Sequence, residues 1–135
     1  MKKKKIKHPS LKSLHRQAWK LFSEYVRRSE RGVCFCCGVK KRWQETHAAH
    51  YIHRNSLDYD PINIHACCPR CNRFLHGNLG VYAERLIAEY GEEAIQNLRC
   101  RGNEVKKFTI IELKELIKKY TILLKELKGV KKCLD

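Results

Sequence analysis

Cys34-Phe35-Cys36-Cys37-Gly38 is answered further along the chain by Cys68-Pro69-Arg70-Cys71-Asn72, and these two stretches decide the fold. Each contains a C-x-x-C unit, and thirty residues separate Cys37 from Cys68. A knuckle turn of this spacing presents two thiolates from one side, and two such turns supply the four soft anionic ligands of a closed tetrahedral Zn²⁺ site. Gly38 selects Cys34 and Cys37 from the first cluster, because a glycine just after the second thiolate lets the backbone turn tightly towards sulfur. In the second cluster only Cys68 has the two-residue gap to Cys71. Cys36, Cys67, Cys100 and Cys133 are then ordinary thiols. Clustered cysteines at short spacing belong to a reducing compartment rather than to a disulfide-stapled secreted chain.

Zinc at these four positions draws the ends of residues 38–67 together. That loop holds Thr46-His47-Ala48-Ala49-His50-Tyr51-Ile52-His53 and Pro61-Ile62-Asn63-Ile64-His65. The metal is scaffold, and the loop carries the chemistry. A neutral imidazole can take a proton from water while an adjacent divalent cation stabilises a departing oxygen, which is what phosphodiester hydrolysis requires.

Outward from this core the pattern is helical. Ser10 or Ser13 caps a helix over 10–31 that carries Leu14, Ala18, Leu21, Phe22, Tyr25 and Val26 on one face and stops at Gly32. Residues 33–78 combine turn signals with short β-prone stretches and form the zinc-bearing core. Helical spacing returns in Leu79, Tyr82, Ala83, Leu86, Ile87 and Tyr90 as far as Gly91, followed by a shorter helix over 92–98. Thr109 and Glu112 form a capping box for a last helix, whose apolar stripe from Ile110 to Leu127 ends before Gly129. Residues 1–9 read as a disordered basic arm, 10–135 as one domain with a helical C-terminal part over 79–130.

At 135 residues the chain suits one modest core reinforced by metal. Lys and Arg outnumber Asp and Glu by 29 to 14, a net charge of +15 that calls for a polyanionic partner. The excess is at the ends: eleven against two in residues 1–31, ten against five in 101–135, and only eight against seven between them. Gripping the phosphate backbone is thereby separated from the neutral centre that holds Cys and His. Lys2, Lys3, Lys4, Lys5, Lys7, Arg27, Arg28, Arg54 and Arg73 are the candidate nucleic-acid contacts. No apolar run approaches the roughly 18 residues of a membrane span, so a soluble, cytoplasmic protein without a membrane partner is expected.

These motifs resemble the HNH (His-Me finger, ββα-metal) nucleases, and more narrowly the NinG/Rap recombination family of lambda-like phages. The resemblance is carried by Cys34-x-x-Cys37-Gly38, His47-Ala48-Ala49-His50-Tyr51, Pro61-Ile62-Asn63-Ile64-His65 and Cys68-Pro69-Arg70-Cys71-Asn72, with Gly77-Asn78 and Tyr82 following, and it extends from about Ser10 through the last helix. It implies an α+β fold, a small zinc-stabilised ββα-metal core with flanking N-terminal and C-terminal α-helices, around one catalytic divalent cation, Mg²⁺ or Mn²⁺. By this mapping His50 is the general base and Asn63 organises the hairpin loop. Asn72, at the start of the helix, is a ligand of the catalytic metal, and His76, four residues on, is a second ligand on the same helical face. Many nucleases of the superfamily carry Asp immediately before the base. Here Ala49 stands there, and His47 is the nearest replacement. The implied function is a metal-dependent DNA endonuclease acting in recombination on branched DNA, working as a homodimer where two cuts are needed. Two other classes share these features: a non-catalytic zinc module that binds DNA through its basic flanks, and an RNA-binding or RNA-cleaving protein.

Overall fold

The structure, a computed structural model, describes residues 4, 5 and 7–134. Helix α1 (Leu11–Ser29) precedes two short strands, β1 (His47–His50) and β2 (Ile64–Cys67), and three further helices follow: α2 (Leu79–Tyr90), α3 (Glu92–Gly102) and α4 (Ile110–Leu134). The strands pair antiparallel, with His47 opposite Cys67 and His50 opposite Ile64. The mixed α+β class expected from the sequence is what forms.

Successive side chains on a strand leave opposite faces, and here each face has its own core. Ala48 and Ile64 turn towards α1 and α4, where Leu14, Ala18, Phe22, Val26, Tyr59, Leu113 and Tyr120 pack together. Ala49 and Cys67 turn the other way, onto the cysteine cluster and the apolar faces of α2 and α3 with Tyr82, Leu86, Ile95 and Leu98. The two-stranded sheet is thus the partition between a helical layer and a metal-binding layer.

The helix boundaries follow from local chemistry. Ser10 caps α1, its side chain accepting a hydrogen bond from the Ser13 N–H at 3.2 Å. Gly32 ends the run with φ +71, and a Cβ there would lie 2.0 Å from the Lys41 carbonyl oxygen, so the chain can fold back here only through glycine. At α4 the Glu112 N–H donates to Thr109 Oγ1 at 3.1 Å, one half of the predicted capping box, while the Glu112 carboxylate accepts from the Thr109 hydroxyl at 3.2 Å rather than from its backbone N–H.

Three expectations need correction. The helical part expected over 79–130 runs on to Leu134 with Gly129 inside its last helix, because one interior glycine costs only about 1 kcal/mol, too little to break a helix this long. The helix expected over 92–98 continues to Gly102. Most consequential, no α-helix starts at Asn72. After β2 the chain makes a single π turn, Arg70–Phe74, and then passes through positive φ at His76, Gly77 and Asn78 before α2 begins. The left-handed backbone at His76, Gly77 and Asn78, closed by the Gly77 N–H donating to the Cys71 carbonyl at 2.9 Å, cannot continue a right-handed helix. The helical-face relation between Asn72 and His76 therefore does not form. No described helix is long and apolar enough to cross a membrane.

Candidate metal centre and basic cleft

The sulfur atoms of Cys34, Cys37, Cys68 and Cys71 all lie within 4.8 Å of one another. Those of Cys37 and Cys68 are 3.7 Å apart. Four Zn–S bonds of about 2.3 Å in a tetrahedron give sulfur–sulfur edges of about 3.8 Å, so the site already has the size of a zinc centre. Both knuckles are fixed by backbone hydrogen bonds, Gly38 N–H to Cys34 O at 2.9 Å and Asn72 N–H to Cys68 O at 3.0 Å. Asn78 Nδ2 donates to Cys71 Sγ at 3.6 Å. Burial pushes the Cys37 and Cys71 thiols up, whereas hydrogen bonds from Cys36 and Cys67 pull Cys34 far down. Four thiolates this close repel one another, and a metal such as zinc held among them would offset that repulsion. Cys36 and Cys67 are buried at the edge of the centre, 3.9 Å from each other. The hydrogen bond to Cys34 pushes the Cys36 thiol up to about 12. Among the described residues no other group of three or more His, Cys, Asp or Glu side chains converges closely enough to share a metal.

His47 and His50 are three residues apart on β1 and so leave opposite faces of the sheet. On the cysteine side, Asn72 Nδ2 donates to His47 Nδ1 at 2.9 Å. Burial lowers the His47 pKa, and the charges of Arg73 and Arg27 lower it further. The structure thus joins Asn72 to His47 rather than to His50. His76 is exposed and stands apart, in the left-handed turn that follows.

On the α1 side, His50 stacks on Trp19 with ring centroids 5.2 Å apart and lies beside His53 at 5.3 Å. Its Nε2 is 3.3 Å from Asp58 Oδ1. Burial lowers the His50 pKa; the Asp58 carboxylate opposes this and His53 reinforces it, with a net downward shift that leaves the imidazole neutral near pH 7. The ring opens into a cleft of about 620 Å³ lined also by His15, Arg16, Asn55, Tyr59 and Lys107.

Asp58 reaches His50 because the segment between the strands is closed from inside by Asn63. This side chain is fully buried. Its Oδ1 accepts from the Ile52 N–H at 2.9 Å, and its Nδ2 donates to the Ile52 carbonyl at 3.0 Å and to the Leu57 carbonyl at 3.4 Å. One amide thereby fixes the start of the loop, just after His50, and the turn Asn55–Leu57 that delivers Asp58. Asp60 adds a second tie by accepting from the Ile62 N–H at 2.9 Å and pairing with Arg101.

Sequence reasoning missed Asp58, although Asp58 and Asp60 are the only acids between Glu45 and Glu84. It also missed Trp19, Arg16 and Lys107, which only the packing of α1 and the approach to α4 bring to the cleft. His65 belongs elsewhere. Its Nδ1 pairs with Glu30, its Nε2 meets the Ile62 carbonyl at 3.0 Å, and its ring stacks on Phe35 at 4.0 Å, so both nitrogens are engaged inside the core.

Among the predicted nucleic-acid contacts, Lys4, Lys5, Lys7, Arg54 and Arg73 are exposed, while Lys2 and Lys3 lie outside the described residues. Arg27 and Arg28 stack over Trp43 at 5.1 and 4.2 Å, and Arg28 also pairs with Glu24 at 2.8 Å. Lys40, Lys41 and Arg42 line the same surface, which the sequence alone did not join to them.

The fold and the site together define a small α+β protein built on a four-cysteine centre that can hold a metal such as zinc. The chain belongs to the NinG family: the family profile described as Bacteriophage Lambda NinG protein matches residues 1–130. Protein ninG of Escherichia phage 933W is 30% identical over 117 residues, covering 84% of this chain and 58% of that protein. Protein ninG of Escherichia phage lambda is 30% identical over 117 residues, with 84% and 57% covered. That of Salmonella phage P22 is 28% identical over 116 residues, with 84% and 57% covered. The chain spans a little over half the length of these relatives. No solved structure matches it.

Proposed function

We propose that this chain is a metal-dependent DNA endonuclease of the HNH type, acting in recombination on branched DNA, with a structural Zn²⁺ in the cysteine centre. The observation that carries the reading is His50: a neutral imidazole at the mouth of a basic cleft, paired to Asp58 on a loop that Asn63 closes. The hydrogen bonds of Asn63 to Ile52 and Leu57 support the organising role that the family resemblance implies.

Asp58, 3.3 Å from Nε2 of His50, favours by its charge a proton on that nitrogen, which leaves the Nδ1 lone pair free to act as a base. A water in the cleft gives its proton to Nδ1 as its oxygen attacks phosphorus, and the bond from phosphorus to the leaving sugar oxygen breaks. Asp58 offsets the positive charge that forms on the ring. Arg16 and Lys107 attract the phosphate by charge. Mg²⁺ is commonly held through one or two carboxylates together with substrate phosphates, and Asp58 is the carboxylate that this cleft offers to Mg²⁺ or Mn²⁺. Such a cation supplies stabilisation of the leaving oxygen. Two cuts resolve a symmetric junction, so two copies act on each.

The test is a panel of labelled four-way junctions, flaps, linear duplexes and matched RNA, each incubated with Mg²⁺, Mn²⁺ or neither. Cleavage of branched DNA that requires an added cation is the expected result. Binding of the panel without any cleavage would reject the nuclease and favour the second reading, a zinc-dependent nucleic-acid-binding protein. Ala49, in place of the usual acidic ligand, is the observation that favours that alternative.

A further inference from the structure

Phe74 is 78% exposed, an unusual position for a phenyl ring on a turn held by a metal-binding knuckle. The turn Arg70–Phe74 contains Cys71 and is closed by Leu75 N–H to Arg70 O and Gly77 N–H to Cys71 O, both at 2.9 Å. The ring therefore projects from a stiff support rather than from a loose loop. Arg70 and Arg73, both exposed, flank it, with half-exposed Leu75 beside it. No Asp or Glu occurs between Asp60 and Glu84, so this whole segment is basic or neutral. Asn72, two residues before Phe74, is the partner of His47.

We propose that Phe74 is a base-stacking wedge that recognises unpaired or loosely stacked bases at a DNA branch, with Arg70 and Arg73 holding the adjoining phosphates. A nucleic-acid base is the occupant that fits, because it presents a flat apolar face inside a polyanion. An apolar groove on a protein would match the phenyl ring but not the two guanidinium groups beside it. Continuous duplex hides its base faces, and inserting a side chain there first requires unstacking, whereas a branch point exposes them already. The wedge thereby supplies a source for the branched-DNA preference and rests on the proposed function for that substrate class.

The experiment compares wild type, Phe74→Ala and Phe74→Trp for binding to a four-way junction and to linear duplex, without added Mg²⁺ or Mn²⁺. Zinc content and thermal melting of the variants serve as the folding control. Removing one base–aromatic stack weakens single-strand binding by about five- to a hundredfold. Phe74→Ala should lose affinity on that scale for the junction and little for duplex, and Phe74→Trp should retain both. A 2-aminopurine at the branch point should change fluorescence on binding wild type and not on binding Phe74→Ala. Equal junction affinity for wild type and Phe74→Ala would overturn the wedge and leave the patch to a protein partner. Equal losses on junction and duplex would overturn it too. A chain that shows the Phe74 effect yet never cuts would sink the nuclease and leave the wedge standing, whereas one that cuts branched DNA with no Phe74 effect would do the reverse.

Discussion

Replacing Asn63 with alanine removes the tie that holds the loop between β1 and β2. Three hydrogen bonds disappear, two of good length at 2.9 and 3.0 Å and one longer at 3.4 Å. The Ile52 N–H loses its partner, whereas the Ile52 carbonyl keeps the Arg54 N–H and the Leu57 carbonyl keeps the Asp60 N–H, both at 3.2 Å. An abandoned buried N–H costs about 1–3 kcal/mol, near the lower end at partly buried Ile52, and each of the other two lost bonds contributes about 0.5–1.5 kcal/mol. The expected destabilisation is about 2–4 kcal/mol. At roughly 4 °C per kcal/mol for a chain of this size, that is a fall of about 8–16 °C in Tm. Melting is followed by circular dichroism with zinc saturating, and cleavage of a four-way junction is measured at a temperature where both proteins remain folded. Because Asn63 also fixes the turn that delivers Asp58, cleavage should drop further than the folded fraction explains. Asn63→Asp, which keeps the acceptor and loses the donor, should fall between the two. An Asn63→Ala protein that melts within about 2 °C of wild type, or cuts at the wild-type rate, would refute the organising role.

The cysteine centre predicts one zinc per chain by elemental analysis and none in Cys71→Ser. Structural zinc contributes folding free energy on the order of 10 kcal/mol, so that variant should lose its cooperative melt; a folded, zinc-free Cys71→Ser chain would contradict the assignment. Gly32→Ala places a Cβ 2.0 Å from the Lys41 carbonyl at φ +71 and should lower stability by at least about 2 kcal/mol, read as a lower denaturant midpoint at unchanged slope. An unchanged midpoint would mean that the chain turns there by other means. Burial lowers the His50 pKa below the ordinary imidazole value of about 6.5, so more than half of the base is deprotonated at that pH. Cleavage should fall along an acid limb centred below about 6.5; an acid limb centred above that value would mean that a different group titrates.

Much of this was legible in sequence because the strongest signals are local. Two C-x-x-C units at the right spacing specify a metal centre wherever the rest of the chain goes, and Ser10, Gly91 and the Thr109–Glu112 box mark helix ends through neighbours a few residues away. The organising role of Asn63 came only from the family resemblance; the structure adds that its partners Ile52 and Leu57 lie within the loop it closes. What was not legible depends on the third dimension. The strand places His47 and His50 on opposite faces, a fact set by where β1 begins, and the metal knuckle replaces the helix that would have put Asn72 and His76 together. The cleft needs Trp19 from α1 and Lys107 from just before α4, residues nearly ninety positions apart in sequence that meet only because α4 packs along α1, the helix that covers β1 and β2.

In the proposed phosphodiester cleavage, His50 is the group that takes the proton from water. Single-turnover cutting of a labelled four-way junction in Mg²⁺ or Mn²⁺ by wild type and by His50→Ala, with junction affinity measured alongside, tests this role most directly. His50→Ala should cut at least about a hundredfold more slowly, the usual scale of general-base catalysis, with zinc content and affinity retained. Cutting by His50→Ala at the wild-type rate would contradict it.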